Sequence, residues 1–110
     1  MYYGIVYLLC EYGSTPEKFK IGVTKGSPMK RIKSLQTGCS NEIILIYTYE
    51  SKHYLKIESF LHRKYRQYST NGGTEWFELP SDIVSNFRKE CESIELMFNT
   101  LISNGNPFII

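Results

Sequence analysis

The chain has 110 residues, enough for one domain with a single modest core and too few for a second catalytic module. Its composition is ordinary apart from nine tyrosines; it carries no apolar run of membrane-span length and no charged leader followed by an apolar stretch. A cytoplasmic or nuclear setting without membrane contact is therefore expected.

The net charge of +2 conceals an asymmetry, because residues 18–66 carry 11 of the 13 Lys and Arg against three Glu, a local +8. The remainder carries −6. Such a distribution suits one basic face offered to a polyanion, although a surface balanced by chance gives the same total. Cys10, Cys39 and Cys91 are odd in number and lack metal-ligand spacing. They read as small core fillers in a reducing compartment.

In chain order, YGIVYLLC (3–10) and KFKIGVT (18–24) are β-rich runs joined by EYGSTPE, whose Gly, Ser and Pro favour a turn. So short a link predicts an antiparallel hairpin. Ser27-Pro28 reads as an N-cap with proline in the first helical turn, and the helix should end near Gly38 in a left-handed cap. Met29, Ile32 and Leu35 would form its inward stripe. EIILIYTYE (42–50) is apolar enough for a central strand. Ser51 then caps a second helix to about Gln67, with Tyr54, Ile57, Leu61, Tyr65 and Tyr68 on one face. STNGG (69–73) is a loop and TEWFEL (74–79) a short extended segment. From Pro80-Ser81 a long final helix runs to Asn104-Gly105. The expectation is an α+β fold: a small central antiparallel sheet flanked by helices, β-β-α-β-α in order, with an extended segment and a long C-terminal helix.

Glu58 is the most informative residue. It falls among Tyr54, Leu61 and Tyr65 in the apolar stripe of the second helix, with His62 one turn later on the border of that face. A carboxylate there needs a cation, a metal or several donors, unless it lies at a frayed edge and turns to solvent. Arg31, beside the Leu35 edge of the first helix, either extends its guanidinium fork to a phosphate or carboxylate or makes a weak surface pair. Lys25, Lys30 and Lys33 suit phosphate positioning or plain solvation. GVTKGSPMK lacks the spacing of a nucleotide-binding P-loop, and neither a Ser-His-Asp order nor a zinc set is present. Tyr7 lies mid-strand, and a buried phenol there needs a hydrogen-bond partner.

Taken together and in order, GIVYLL, FKIGVT, Arg31 within PMKRIKSLQTG, IESFLHRKY and NGGTEWFEL resemble the GIY-YIG nuclease superfamily. The likeness is greatest to its small phage, viral and fungal branch with KIGxT, R-x3-L-x-TG, E-x3-H and EWF, and it covers residues 3–79. It implies a core that hydrolyses DNA phosphodiesters with one divalent ion, Mg²⁺ or Mn²⁺. By matching motif, Tyr7 would stand near the attacking water, Arg31 would steady the phosphate and Glu58 would bind the metal. The first triplet is stretched to Gly-Ile-Val-Tyr, so the match is Val6-Tyr7. The second triplet has become Lys20-Ile21-Gly22, without its tyrosine, and Phe19 alternates to the other face. Lys20 would offer a cation to the phosphate or, unprotonated, assist water. His62 belongs to the E-x3-H pattern, to shuttle a proton or hold Glu58. Asn71 lies where some relatives contact phosphate, and it is assigned no role. Trp76 and Phe77 read as core rather than base-stacking groups.

The leading expectation is a metal-dependent endonuclease domain of low sequence specificity, with Tyr7, Lys20, Arg31, Glu58 and His62 converging on one concave face. Second comes a nucleic-acid-binding module of the same fold with weak or no turnover, favoured by Lys20 in place of tyrosine. A protein-interaction domain using the acidic final helix is third. Residues 1–80 would form the core and 81–110 a helix packed on it, which also leaves open a homodimer through that helix.

Overall fold

A computed structural model describes residues 3–70 and 76–105. Strands β1 (Gly4–Tyr12) and β2 (Lys18–Thr24) form the expected hairpin, followed by α1 (Pro28–Gln36), β3 (Glu42–Ser51) and α2 (Tyr54–Lys64). After a 3-10 turn at Arg66–Tyr68 come β4 (Trp76–Phe77), α3 (Ser81–Ser85) and α4 (Phe87–Ser103). The four strands pair antiparallel in the order β3-β1-β2-β4. This is the α+β architecture the sequence predicts.

Strand alternation divides the sheet into two faces. Val6, Leu8, Cys10, Phe19, Ile21 and Phe77 point into the larger core, against Tyr54, Ile57, Leu61 and Tyr65 of the α2 side and Phe87, Cys91, Ile94 and Phe98 of α4. Tyr7, Leu9 and Ile43 turn the other way to meet Ile32 of α1, with Leu35, Leu45 and Trp76 at the margin. Fully buried aliphatic side chains such as Leu8, Ile57 and Leu61 each stabilise by about 1.5–3 kcal/mol. The final helix shares one core with the strands, so residues 81–105 pack as part of the same unit.

β3 changes phase in its middle. Leu8 pairs with Tyr47 but Leu9 with Leu45, which leaves Ile46 as the extra residue of a bulge. Ile43 and Leu45 therefore face α1, whereas Tyr47 and Tyr49 pack toward the α4 side.

Five local expectations are corrected. β3, expected as a central strand, is an edge strand among the described residues and pairs with β1 alone. Met29 is 58% exposed and lies outside the stripe of α1, which rests on Ile32 and Leu35. Gly38 is not left-handed; Gln36 closes the helix instead, its amide donating to the carbonyls of Cys39 and Asn41 and its Oε1 accepting from the Ile43 amide. Ser51 ends β3, and α2 begins three residues later; its hydroxyl still accepts from the His53 amide at 2.9 Å. The long last helix is broken at Asn86 (φ −100°, ψ 12°), whose side chain donates to the Asp82 carbonyl at 2.8 Å and competes with the helical ladder. The predicted Ser27 cap is present, its hydroxyl accepting from the Met29 amide at 3.2 Å.

Candidate active site

Tyr7 and Lys20 stand on the α1 face of the sheet. Tyr7 is opposite Gly22 across the β1–β2 ladder, and Lys20 is opposite Leu9 on one side and Trp76 on the other. Both are enclosed, with 1% of Tyr7 and 5% of Lys20 exposed. The phenol lies across β2: a Cβ placed on Gly22 would come within 2.5 Å of the Tyr7 hydroxyl. Only glycine admits that approach, and it lets the hydroxyl extend from β1 over β2. Lys20 Nζ lies over the Trp76 ring, 5.7 Å from its centroid, within cation–π range.

The outer side of β2 is only partly covered. β4 pairs with Phe19 and Lys20 alone, so among the described residues no strand continues past them along β2. His62 takes the next position on that edge, its Nε2 standing 2.8 Å from the Ile21 carbonyl and its ring edge-on to Phe77 at 5.2 Å. A carbonyl only accepts, so Nε2 carries a proton and Nδ1 is the ring atom left for exchange.

Glu58 is one turn before His62 and half-buried. At 100° per residue the two fall on one flank of α2, and Lys64 on the other. Lys64 pairs with Glu90 of α4, and His62 reaches β2. His62 thus turns the flank of α2 that also carries Glu58 toward β2, on the face opposite Tyr7.

Arg31 is exposed on α1 and stands about 40° around that helix from Leu35. α1 and α2 lie on opposite faces of the sheet. The expected convergence of Tyr7, Lys20, Arg31, Glu58 and His62 on one concave face is therefore corrected: Tyr7, Lys20 and Arg31 lie on the α1 side and Glu58 and His62 on the α2 side, because α1 and α2 pack on opposite faces of the sheet. Lys25, Lys30 and Lys33 are all exposed, in the β2–α1 connection and on α1. Together with Arg31 they give this end of the molecule its positive charge. Asn71 and the glutamate of EWF lie outside the described residues.

Trp76 and Phe77 do not share a fate. Phe77 is core, 1% exposed, whereas Trp76 is half-buried on the Tyr7–Lys20 face. Strand alternation already required the pair to diverge, and that was the signal for Trp76. Gly22 had a signal too: a glycine inside a strand often marks a close approach.

Among the described residues, no three His, Cys, Asp or Glu side chains gather as metal ligands. The Glu58 carboxylate of α2 is a hard oxygen donor. That chemistry fits Mg²⁺ or Mn²⁺, which keep several waters and use one or two carboxylates plus phosphate oxygens.

The fold and this edge define a small α+β domain with an enclosed tyrosine and lysine, a carboxylate flank and a basic approach. The chain belongs to the T5orf172 domain family, which it matches over residues 4–92. That family is associated with nuclease-like, DNA-binding domains. No curated protein and no solved structure gives a significant match. No helix among the described residues is long and apolar enough to cross a membrane.

Proposed function

We propose that the domain is a GIY-YIG-type endonuclease that hydrolyses DNA phosphodiesters at the β2 edge with one divalent ion. The observation that supports the reading is the Tyr7 hydroxyl laid over Gly22 of β2, the strand that His62 of α2 also reaches at the Ile21 carbonyl. A carboxylate, a phenol and a cation around one strand suit a phosphate better than any neutral substrate.

Glu58 would hold Mg²⁺ or Mn²⁺. When bound, the ion supplies Lewis acidity and counter-charge for the leaving oxygen. Tyr7 orients the attacking water through its hydroxyl. Lys20, fixed beneath Trp76, places a positive charge next to the phosphate. Arg31 reaches in from α1 with a fork matched to two phosphate oxygens. His62 anchors α2 to Ile21, and its Nδ1 can accept or return a proton. Lys25, Lys30 and Lys33 bind flanking phosphates, which fixes position without reading sequence, so specificity is low.

The test is nicking of supercoiled plasmid with Mg²⁺ or Mn²⁺ by the wild type and by Glu58→Ala. Loss of a group that stabilises transition-state charge costs on the order of 10²–10³ in rate, and that loss is expected with DNA affinity within a few-fold of wild type. Equal rates in the two proteins would refute the assignment of Glu58. DNA binding without cleavage under either metal would leave the binding module as the function.

A further inference from the structure

A cavity of about 540 Å³ opens on the same sheet face, immediately beside Trp76. Its walls include Glu11 of β1, Ser34 and Leu35 of α1, Ser40 of the α1–β3 connection, Ile43 of β3 and Trp76 of β4. The reaction scheme above uses none of them. We infer that this cavity is a nucleobase subsite, which takes an unstacked base of the strand whose phosphate lies at Tyr7 and Lys20. The inference rests on the nuclease reading for its substrate and adds which part of that substrate is gripped.

Three observations select a base over other ligands. The cavity volume lies within the roughly 300–1,000 Å³ typical of small-ligand sites. Its lining contains an indole and apolar side chains but no Lys or Arg, and Glu11 would repel a phosphate. A base instead presents a π-face to Trp76 and amino or imino donors to a carboxylate. Glu11 is held for such a contact: Asn41 Nδ2 donates to its Oε1 at 2.9 Å, which leaves Oε2 to accept.

Position makes the link to the proposed active site. Trp76 is the cross-strand neighbour of Lys20, and Gly22, under the Tyr7 hydroxyl, is two residues farther along β2. Two strand residues span about 7 Å, a separation that one nucleotide unit bridges between its base and a neighbouring phosphate. Lys20 then serves both, its Nζ lying over the indole on which the base stacks and its charge standing next to the phosphate. Because the carboxylate needs donors, bases with an exocyclic amino group are preferred to thymine. Because the base must leave its stack, single strands are preferred to a closed duplex.

Trp76 is the only tryptophan in the chain, so its fluorescence reports its own surroundings, the cavity on one side and Lys20 on the other, and Ser40→Phe separates the two. The experiment titrates the protein, in EDTA to stop turnover, with 12-mer oligodeoxycytidine, oligothymidine and a hairpin duplex, while anisotropy of a fluorescein label on each oligonucleotide reports binding independently. Quenching that saturates with binding is expected, strongest with oligodeoxycytidine and weakest with the duplex. Trp76→Ala should weaken oligodeoxycytidine binding by roughly 5- to 150-fold, the range for losing one stacked base. Since that variant also disturbs the lid over Lys20, Ser40→Phe, which fills the cavity from an exposed position, must weaken binding too while circular dichroism stays unchanged. Unaltered Trp76 emission at saturating oligonucleotide, or full affinity in Ser40→Phe, overturns the subsite. Quenching without cleavage under any metal keeps the subsite and refutes the nuclease; cleavage without quenching does the reverse.

Discussion

The pairing of Tyr7 with Gly22 shows how one absent side chain can aim another. A tyrosine ring on β1 reaches over β2 only where β2 has no Cβ, and there the hydroxyl extends across that strand instead of standing upright in the α1 core. Gly22→Ala inserts a methyl within 2.5–2.8 Å of the ring and hydroxyl, so the phenol must swing aside. Overpacking of this kind typically costs about 1–3 kcal/mol. We expect a lower denaturant midpoint together with a drop in plasmid nicking, and a normal far-ultraviolet circular dichroism spectrum. Wild-type nicking by a destabilised Gly22→Ala protein would separate the phenol from the chemistry. Gly4 is a second close approach, with the Tyr54 ring 2.4 Å from its would-be Cβ, but that contact seats α2 on β1 and serves packing.

The elements hold this edge in shape from both faces, and α4 secures α2 from behind. Glu95 accepts from the hydroxyls of Tyr49 and Ser51, Asn99 Oδ1 lies 2.9 Å from His53 Nε2, Arg88 donates to the Thr48 carbonyl, and Glu90 pairs with Lys64. Much of the acidic charge of the last helix is thus directed inward at β3 and α2. Three groups at this junction titrate late, and one of them is the Tyr49 phenol, pushed up by burial and then by its bond to Glu95. Burial first, then Glu90 and Glu95, pushes the Cys91 thiol from 9.0 to about 12; burial and then Glu90 raises the Tyr65 phenol from 10.0 to about 12. The unfolded chain therefore releases these protons at lower pH than the folded one. Between pH 9 and 12 it binds fewer protons, so stability is complete below pH 9 and declines as pH rises through that window. Melting temperatures measured from pH 7 to 10.5 should fall above pH 9, and less steeply in Cys91→Ala. A flat profile in the wild type would contradict a neutral, buried thiol. Much of this level was readable in advance. The hairpin, the Ser27 cap, β3 and the apolar stripe of α2 follow from residue periodicity and turn chemistry alone. The β3 bulge, the Asn86 break and the Gln36 clasp were not readable, because each depends on a side chain or register contact with a distant or competing backbone group. The same divide runs through the site. Helical geometry put Glu58 and His62 on one flank, but which residues of β2 pair with β4 (Phe19 and Lys20 among the described residues) is a tertiary fact.

For the whole molecule, the basic middle of the sequence divides between the two sides of the sheet. Lys25 lies in the β2–α1 connection, and Lys30, Arg31 and Lys33 are exposed on α1, so this charge lies on the α1 side of the sheet while α4 packs on the other. An anionic polymer would be attracted to this cluster before any contact forms, and Lys56, Arg63 and Lys64 of α2 carry further positive charge on the opposite side of the sheet. Of the four cations on the α1 side, Arg31 is assigned to the reacting phosphate and the three lysines to its neighbours. That division has a thermodynamic signature, since each phosphate neutralised steepens the fall of log K with log salt by about 0.9 for duplex DNA and about 0.7 for a single strand. Replacing Lys25, Lys30 and Lys33 together by Ala should flatten the slope by about 2–3 and weaken binding about equally for unrelated sequences, leaving the cleavage rate at saturating DNA within a few-fold of wild type. Arg31→Ala should instead flatten it by about 1 and depress the saturated rate far more. If the triple variant kept the wild-type slope, the lysines would be solvated charge with no part in binding. If it lost the saturated rate as Arg31→Ala does, the lysines would belong to the site itself, and the separation of positioning from chemistry along α1 would be wrong.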